Sequence, residues 1–258
     1  MKTTIQPVGK LVYLLFPLLA LTGLNAQADS HVPPPPGTLE AFFCIYNDGK
    51  DRDDLDAATS FYLKQAEKAG FAAPTSYLWT LNKGTGPADI VWVNAHESLS
   101  AFGASSDAFA ASEDMAAAGE RFSTVADCQP NLATVSTVFA REDADDGGAT
   151  ALATYACNFR PGASPAAMLG VHTSIAEWNK SLGDDALNGV YQIVPMTGNA
   201  QTPDVAIVAV AENTAAWAAH VESLGASPAG QATSGIFGAV LDCTTSLWWS
   251  EQIVGGEG

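Results

Sequence analysis

Three residues spaced two apart, Trp92, Asn94 and His96 in the run VWVNAH, are of types that could do chemistry together. In an extended strand, residues i, i+2 and i+4 point to one side. An indole, an amide and an imidazole would then form a single patch. Tyr77 and Trp79, in SYLWTL, alternate in the same way and read as the adjoining strand's share of that patch. An aromatic wall with one amide and one imidazole suits a flat organic molecule, stacked on the rings and oriented by hydrogen bonds. The candidate ligand-binding set is therefore Tyr77, Trp79, Trp92, Asn94 and His96. The competing account of the same face is a rim that meets water or the linker.

Other chemistry is not signalled. The chain has no Gly-x-Ser-x-Gly elbow, no phosphate-binding Gly-rich loop and no His-Glu-x-x-His; HESLS at His96–Ser100 only begins like the last. NDGKDRDDLD (Asn47–Asp56) is rich in carboxylates, but its spacing fails the calcium-loop pattern. Charges at a helix start account for it better. With no Cys-x-x-Cys pair, zinc is not expected, and no metal or cofactor is assigned. His31 falls in a Pro-rich lead-in, and His220 shares a helix face with Trp217 and Leu224 and reads as packing. His172 sits near the edge of an apolar stripe and could ligate haem, since one helical imidazole suffices for that. Trp178, Trp217, Trp248 and Trp249 read as core or edge packing.

The elements that would position these residues come in two similar sets. FFCIYNDG (Phe42–Gly49) and TYACNFRPG (Thr154–Gly162) each put an aromatic two residues before a cysteine and a glycine five after it. PADIVWVNAHESLSAF (Pro87–Phe102) aligns with TPDVAIVAVAENTAAW (Thr202–Trp217) at an offset of 115, and ADC (Ala126–Cys128) then meets LDC (Leu241–Cys243). At that offset Trp92, Asn94 and His96 meet Ile207, Ala209 and Ala211. Tyr77 can be set on Tyr191, and Trp79 on Ile193. The candidate patch belongs to the first copy only. Each copy reads as strand, helix, strand, strand, helix, strand. The first helix carries Leu55, Ala58, Tyr62, Ala66 and Ala69 on one stripe; in the second copy Ser164 and Pro165 open a helix with Met168, Val171, Ile175, Trp178 and Leu182. FSTVADC and GIFGAVLDC read as the last strands.

A β-α-β-β-α-β unit is the ferredoxin-like motif, whose two helices leave one sheet face bare. Two copies in one chain can bury those faces against each other. In element order and length, over both repeats, this resembles the dimeric α+β barrel superfamily in its fused form. The resemblance implies an α+β fold: a tandem duplication with two antiparallel sheets packed face to face, an internal pseudo-dimer in a monomer. That superfamily includes cofactor-free monooxygenases and haem proteins such as chlorite dismutases. For an oxygenase, a base or hydrogen-bond donor must stabilise a substrate enolate, and His96, Asn94 and Tyr77 are the candidates. The ferredoxin-like strand order 4-1-3-2 makes first and last strands neighbours, which implies the disulfides Cys44–Cys128 and Cys157–Cys243.

Bulk properties set the remaining limits. Lys2 and Lys10, the apolar Leu11–Leu24 and NAQA before Asp29 have the order of a secretory signal peptide. Four cysteines in an exported chain point to disulfides in an oxidising compartment, periplasmic or extracellular. A net charge of −17 repels phosphate backbones and anionic lipid, which argues against nucleic acid or a membrane as partner. The chain divides into a signal peptide 1–28, a Pro-rich lead-in 29–37, repeat one 38–141, an acidic linker 142–149, repeat two 150–250 and a tail 251–258. Three readings follow: an exported, disulfide-stapled protein that binds a small apolar or aromatic molecule; a cofactor-independent monooxygenase-like enzyme; or an interaction protein without a pocket.

Overall fold

The computed structural model describes residues 37–84, 88–141, 150–198 and 202–255. Residues 1–36, 85–87, 142–149, 199–201 and 256–258, and with them the segment read as a signal peptide, most of the lead-in and the linker, lie outside the described residues. The first half runs β1 (Gly37–Tyr46), α1 (Arg52–Ala69), β2 (Thr75–Lys83), β3 (Ile90–His96), α2 (Leu99–Ala110), α3 (Glu113–Ser123) and β4 (Ala126–Ala140). The second repeats that order as β5 (Thr150–Phe159), α4 (Met168–Leu182), β6 (Gly189–Pro195), β7 (Val205–Ala211), α5 (Thr214–Ala226), α6 (Pro228–Val240) and β8 (Leu241–Val254).

Local chemistry explains most of these elements. Asp51 caps α1 by accepting from the amides of Asp53 and Asp54, and those two acids sit in the first turn, where the helix dipole favours them. This accounts for the carboxylate run. Gly70 ends α1 at φ 62°, a conformation other residues adopt with strain. Leu55, Ala58, Tyr62 and Ala66 form its buried stripe. In the second half, a 3-10 turn at Pro165–Ala167 precedes α4, and Ser164 makes no capping bond through its side chain.

Two expectations about the last strands need correction. Phe122 and Ser123 end α3, and Gly235–Val240 end α6, so the strands begin at Ala126 and Leu241. Each second helix is also a pair. Ser112 and Ser227 cap new helices by accepting from the amides of Met115 and Gly230, and Pro228 at the first position preorganises α6. The β-favouring side chains lose to a helical face: Met115 and Ala118 are fully buried, and Phe122 packs beside them.

Each half has the strand order 4-1-3-2, but the two sheets are not separate. They form one closed antiparallel barrel, β1-β3-β2-β8-β5-β7-β6-β4. The long last strands close it. β4 pairs with β1 up to Val135 and with β6 from Ala133 onward; β8 pairs with β5 up to Ser250 and with β2 from Leu247 onward. Edge amides and carbonyls that two stacked sheets would leave unpaired are thereby bonded. β8 runs to Val254, so 251–254 are strand and not tail.

Cys44 lies directly opposite Cys128, and Cys157 opposite Cys243. Both pairs are bonded, with Cα atoms 4.0 Å apart in each. Each bridge joins first and last strands beneath the helices of its own half. The helices α1 to α3 cover one outer face through Leu55, Tyr62, Met115 and Ala118; α4 to α6 cover the other through Val171, Ile175, Trp217 and Phe237. Inside the barrel lie Val91, Val93, Leu152, Val208 and Trp248.

Candidate ligand-binding cavity

The barrel interior is not filled along its whole length. Where β1 and β5 begin and β4 and β8 end, a cavity of about 500 Å³ opens, with Leu39, Val93, Leu152 and Val208 in its walls. Beyond it Phe43, Leu81 and Trp248 fill the interior, and the Trp248 indole donates to Thr154 Oγ1 at 2.9 Å. Three aromatic side chains line the cavity: Tyr77 and Trp79 from β2, and Tyr191 from β6. Tyr77 stands opposite Val93 and Tyr191 opposite Val208, so the two halves supply their tyrosines from equivalent places. The Tyr191 ring lies over Gly189, where a Cβ would fall 2.7 Å from its Cε2. The spacing Gly-x-Tyr was the available sequence signal for that fit. Glu97, just past β3, and Ser250 on β8 also line the cavity, and no sequence pattern pointed to either.

Of the five residues expected on one face, the structure brings two into the cavity and places three behind its wall. Tyr77 and Trp79 pair with Val93 and Val91, which point inward. Trp92 pairs with Leu78 and Phe42 and points out toward the helices. There its ring meets Phe122 at 5.2 Å and Tyr62 at 6.2 Å, both edge-on or tilted. Asn94 Oδ1 accepts from the Trp92 indole at 2.7 Å and from Ser76 Oγ at 2.8 Å, while its amide donates to the Glu40 carboxylate at 2.9 Å. Burial raises the Glu40 carboxyl, with the Asn94 hydrogen bond acting in the opposite sense. Burial and the nearby Glu40 push Tyr62 up to about 12. His96 packs edge-on against Phe102 at 5.5 Å, and burial lowers its pKa. Side chains alternate within each strand, and the register between strands sets Tyr77 beside Val93 and Trp92 beside Leu78, so the two candidate groups take opposite faces.

The asymmetry between halves has a packing consequence. Trp92 and Asn94 occupy the layer between sheet and helices in the first half. In the second, Ile207 and Ala209 stand at the equivalent register and leave a cavity of about 180 Å³ bounded by Tyr155, Trp178, His220 and Phe237. Trp178 Nε1 and His220 Nδ1 are buried there without a hydrogen-bond partner. Burial holds His220 down at about 4. His172, also on the outer side, shares a 2.6 Å hydrogen bond with Gln192 and lines neither cavity.

No group of metal-ligating residues occurs among the described residues. Among its described lining residues the barrel cavity also holds no His, Cys or Met as axial ligand and no Lys or Arg to meet propionates.

No family model matches the sequence, and no curated protein matches it. Solved structures do. A candidate monooxygenase of Fusobacterium nucleatum aligns with a TM-score of 0.56 at 10% identity, over 86% of this chain and 95% of that one. A candidate monooxygenase of Lactobacillus acidophilus aligns with a TM-score of 0.51 at 8% identity, over 85% and 95%. Such identities carry the fold alone. The chain shares the fold of these two structures, an α+β barrel closed inside one polypeptide.

Proposed function

We propose that this protein is an exported binding protein that holds a small, flat, largely apolar molecule inside its barrel. The observation that carries the reading is the cavity of about 500 Å³ with Tyr77, Trp79 and Tyr191 in its walls. That volume lies in the range of ligand sites, and aromatic faces give stacking area at low entropic cost. Trp92, Asn94 and His96 serve it indirectly, as the packed backing of β3. The two disulfides support an oxidising location, periplasmic or secreted, and fit the signal peptide reading of 1–28. The acidic balance favours neither nucleic acid nor a membrane surface as partner. Equivalent registers of the tyrosines and cysteines support descent from one duplicated unit, working as a monomer with an internal pseudo-dimer. Titration with 1-naphthalenemethanol, followed by calorimetry, tests the proposal. Saturable one-to-one binding that weakens about tenfold in Trp79→Ala is expected. Absence of binding, or binding indifferent to Trp79→Ala, would overturn it.

The smaller cavity supports a second reading, a cofactor-independent monooxygenase-like enzyme acting on an aromatic or polyketide-like substrate. Its unpartnered Trp178 N–H could stabilise an oxyanion, with the neutral His220 imidazole beside it at a ring separation of 6.3 Å. Oxygen uptake with aromatic ketones and phenols tests it. Uptake that persists in both Trp178→Phe and His220→Leu would rule this site out.

A further inference from the structure

The charge content of the barrel cavity is one-sided. Among its described lining residues one side chain is a carboxylic acid, Glu97, and none is Lys, Arg or His. Glu97 is exposed at the mouth, directly after β3, and among the described residues its side chain has no ion pair or hydrogen bond. An acidic residue here also has a local role, since it precedes Ser98, the N-cap of α2. Glu212 stands in the same place before Asn213, the N-cap of α5, yet it lines neither of the two cavities. The helix start therefore explains why both halves carry the acid. It does not explain what the unpaired carboxylate at the cavity mouth does.

The walls add aromatic rings to the carboxylate. Tyr77, Trp79 and Tyr191 line the space, and a cation that settles over the face of such a ring within about 6 Å is attracted to it. Ser250 and Thr150 add hydroxyls of either sense. An anion entering this space would meet aromatic faces and a carboxylate with no ammonium or guanidinium to receive it. At longer range the chain's net charge of −17 concentrates cations and repels anions.

We propose that the barrel cavity selects organic cations, an apolar ring body carrying an ammonium group held between Glu97 and the aromatic walls. This rests on the small-molecule reading above and adds the charge class of the ligand. Three probes sharing one ring body test it by calorimetry at low salt: 1-naphthylmethylammonium, 1-naphthalenemethanol and 1-naphthoate. The ammonium should bind about tenfold or more tightly than the alcohol, and the carboxylate should bind more weakly than either. In Glu97→Gln the ratio of ammonium to alcohol affinity should fall to under about threefold, because an exposed charge pair contributes modestly. Raising the salt to about 0.5 M should erode the same ratio in the unaltered protein. If the alcohol binds and the ammonium is no tighter, the charge class is wrong while the cavity reading stands; if the ratio survives Glu97→Gln, Glu97 does not hold the ammonium and the proposal as stated is overturned. If none of the three binds, the cavity reading falls with it.

Discussion

Trp92→Ala separates the two faces of β3 more sharply than any other change. The indole is 9% exposed, rests against Phe122 and Tyr62, and donates to Asn94. Removing a buried aromatic of this kind costs about 3–5 kcal/mol, most of it lost burial and unfilled space. The lost hydrogen bond adds little, since Asn94 Oδ1 keeps Ser76 as a donor and is not left bare. In a domain of this size the loss corresponds to a fall of roughly 6–20 °C in the thermal midpoint. Trp92→Phe should lose much less, because it retains a ring for the aromatic contacts. Trp79→Ala should cost under about 2 kcal/mol, since that indole stands half-buried at the cavity wall and its removal leaves no sealed void. Thermal unfolding by circular dichroism with the disulfides intact, paired with calorimetry of 1-naphthalenemethanol, reads both effects. A Trp92→Ala midpoint within about 2 °C of the parent, accompanied by lost binding, would show that the indole faces the ligand and that this face assignment is wrong.

Other expectations follow from the same geometry. Replacing Cys44 and Cys128 together by serine opens a loop of 84 residues and should cost about 4–5 kcal/mol in the chain-entropy model, read as a lower urea midpoint; an unchanged midpoint would refute it. His220 titrates at about 4 when folded and near 6.5 when unfolded, so between those pH values the unfolded chain holds a proton that the folded chain lacks. Stability from this group therefore falls as pH drops from about 6.5 to 4, by roughly 3 kcal/mol, and levels off below. His220→Leu should flatten that part of the pH profile in urea unfolding, and parallel profiles for the two proteins would count against it. Gly189→Ala sets a methyl where the Tyr191 ring now lies, with contacts of 2.7–2.9 Å that force the ring to move. Its affinity for 1-naphthalenemethanol should drop several-fold, and an unaltered affinity would show that the position of Tyr191 does not matter to the site.

Much of this architecture was legible along the chain because it depends on local terms. The stripe Leu55, Ala58, Tyr62 and Ala66 sits at helical spacing, Asp51 and Gly70 mark its ends, and the cysteine pattern places equivalent residues on equivalent strands. Hydrophobic period and capping act within a few residues, so a sequence read in order contains them. The candidate cavity was legible only in part. Alternation sets Tyr77 and Trp79 on one face, and both line it, whereas the side taken by Trp92, Asn94 and His96 depends on pairing Tyr77 with Val93, a contact between strands that alternation within one strand does not specify. The barrel itself needed β4 and β8 to run beyond their own halves and bond the free edges of β6 and β2. The empty space could be found only in three dimensions. Both cavities exist because residues far apart in sequence fail to fill a volume they jointly enclose, and volume is a property of the packed assembly, not of any segment.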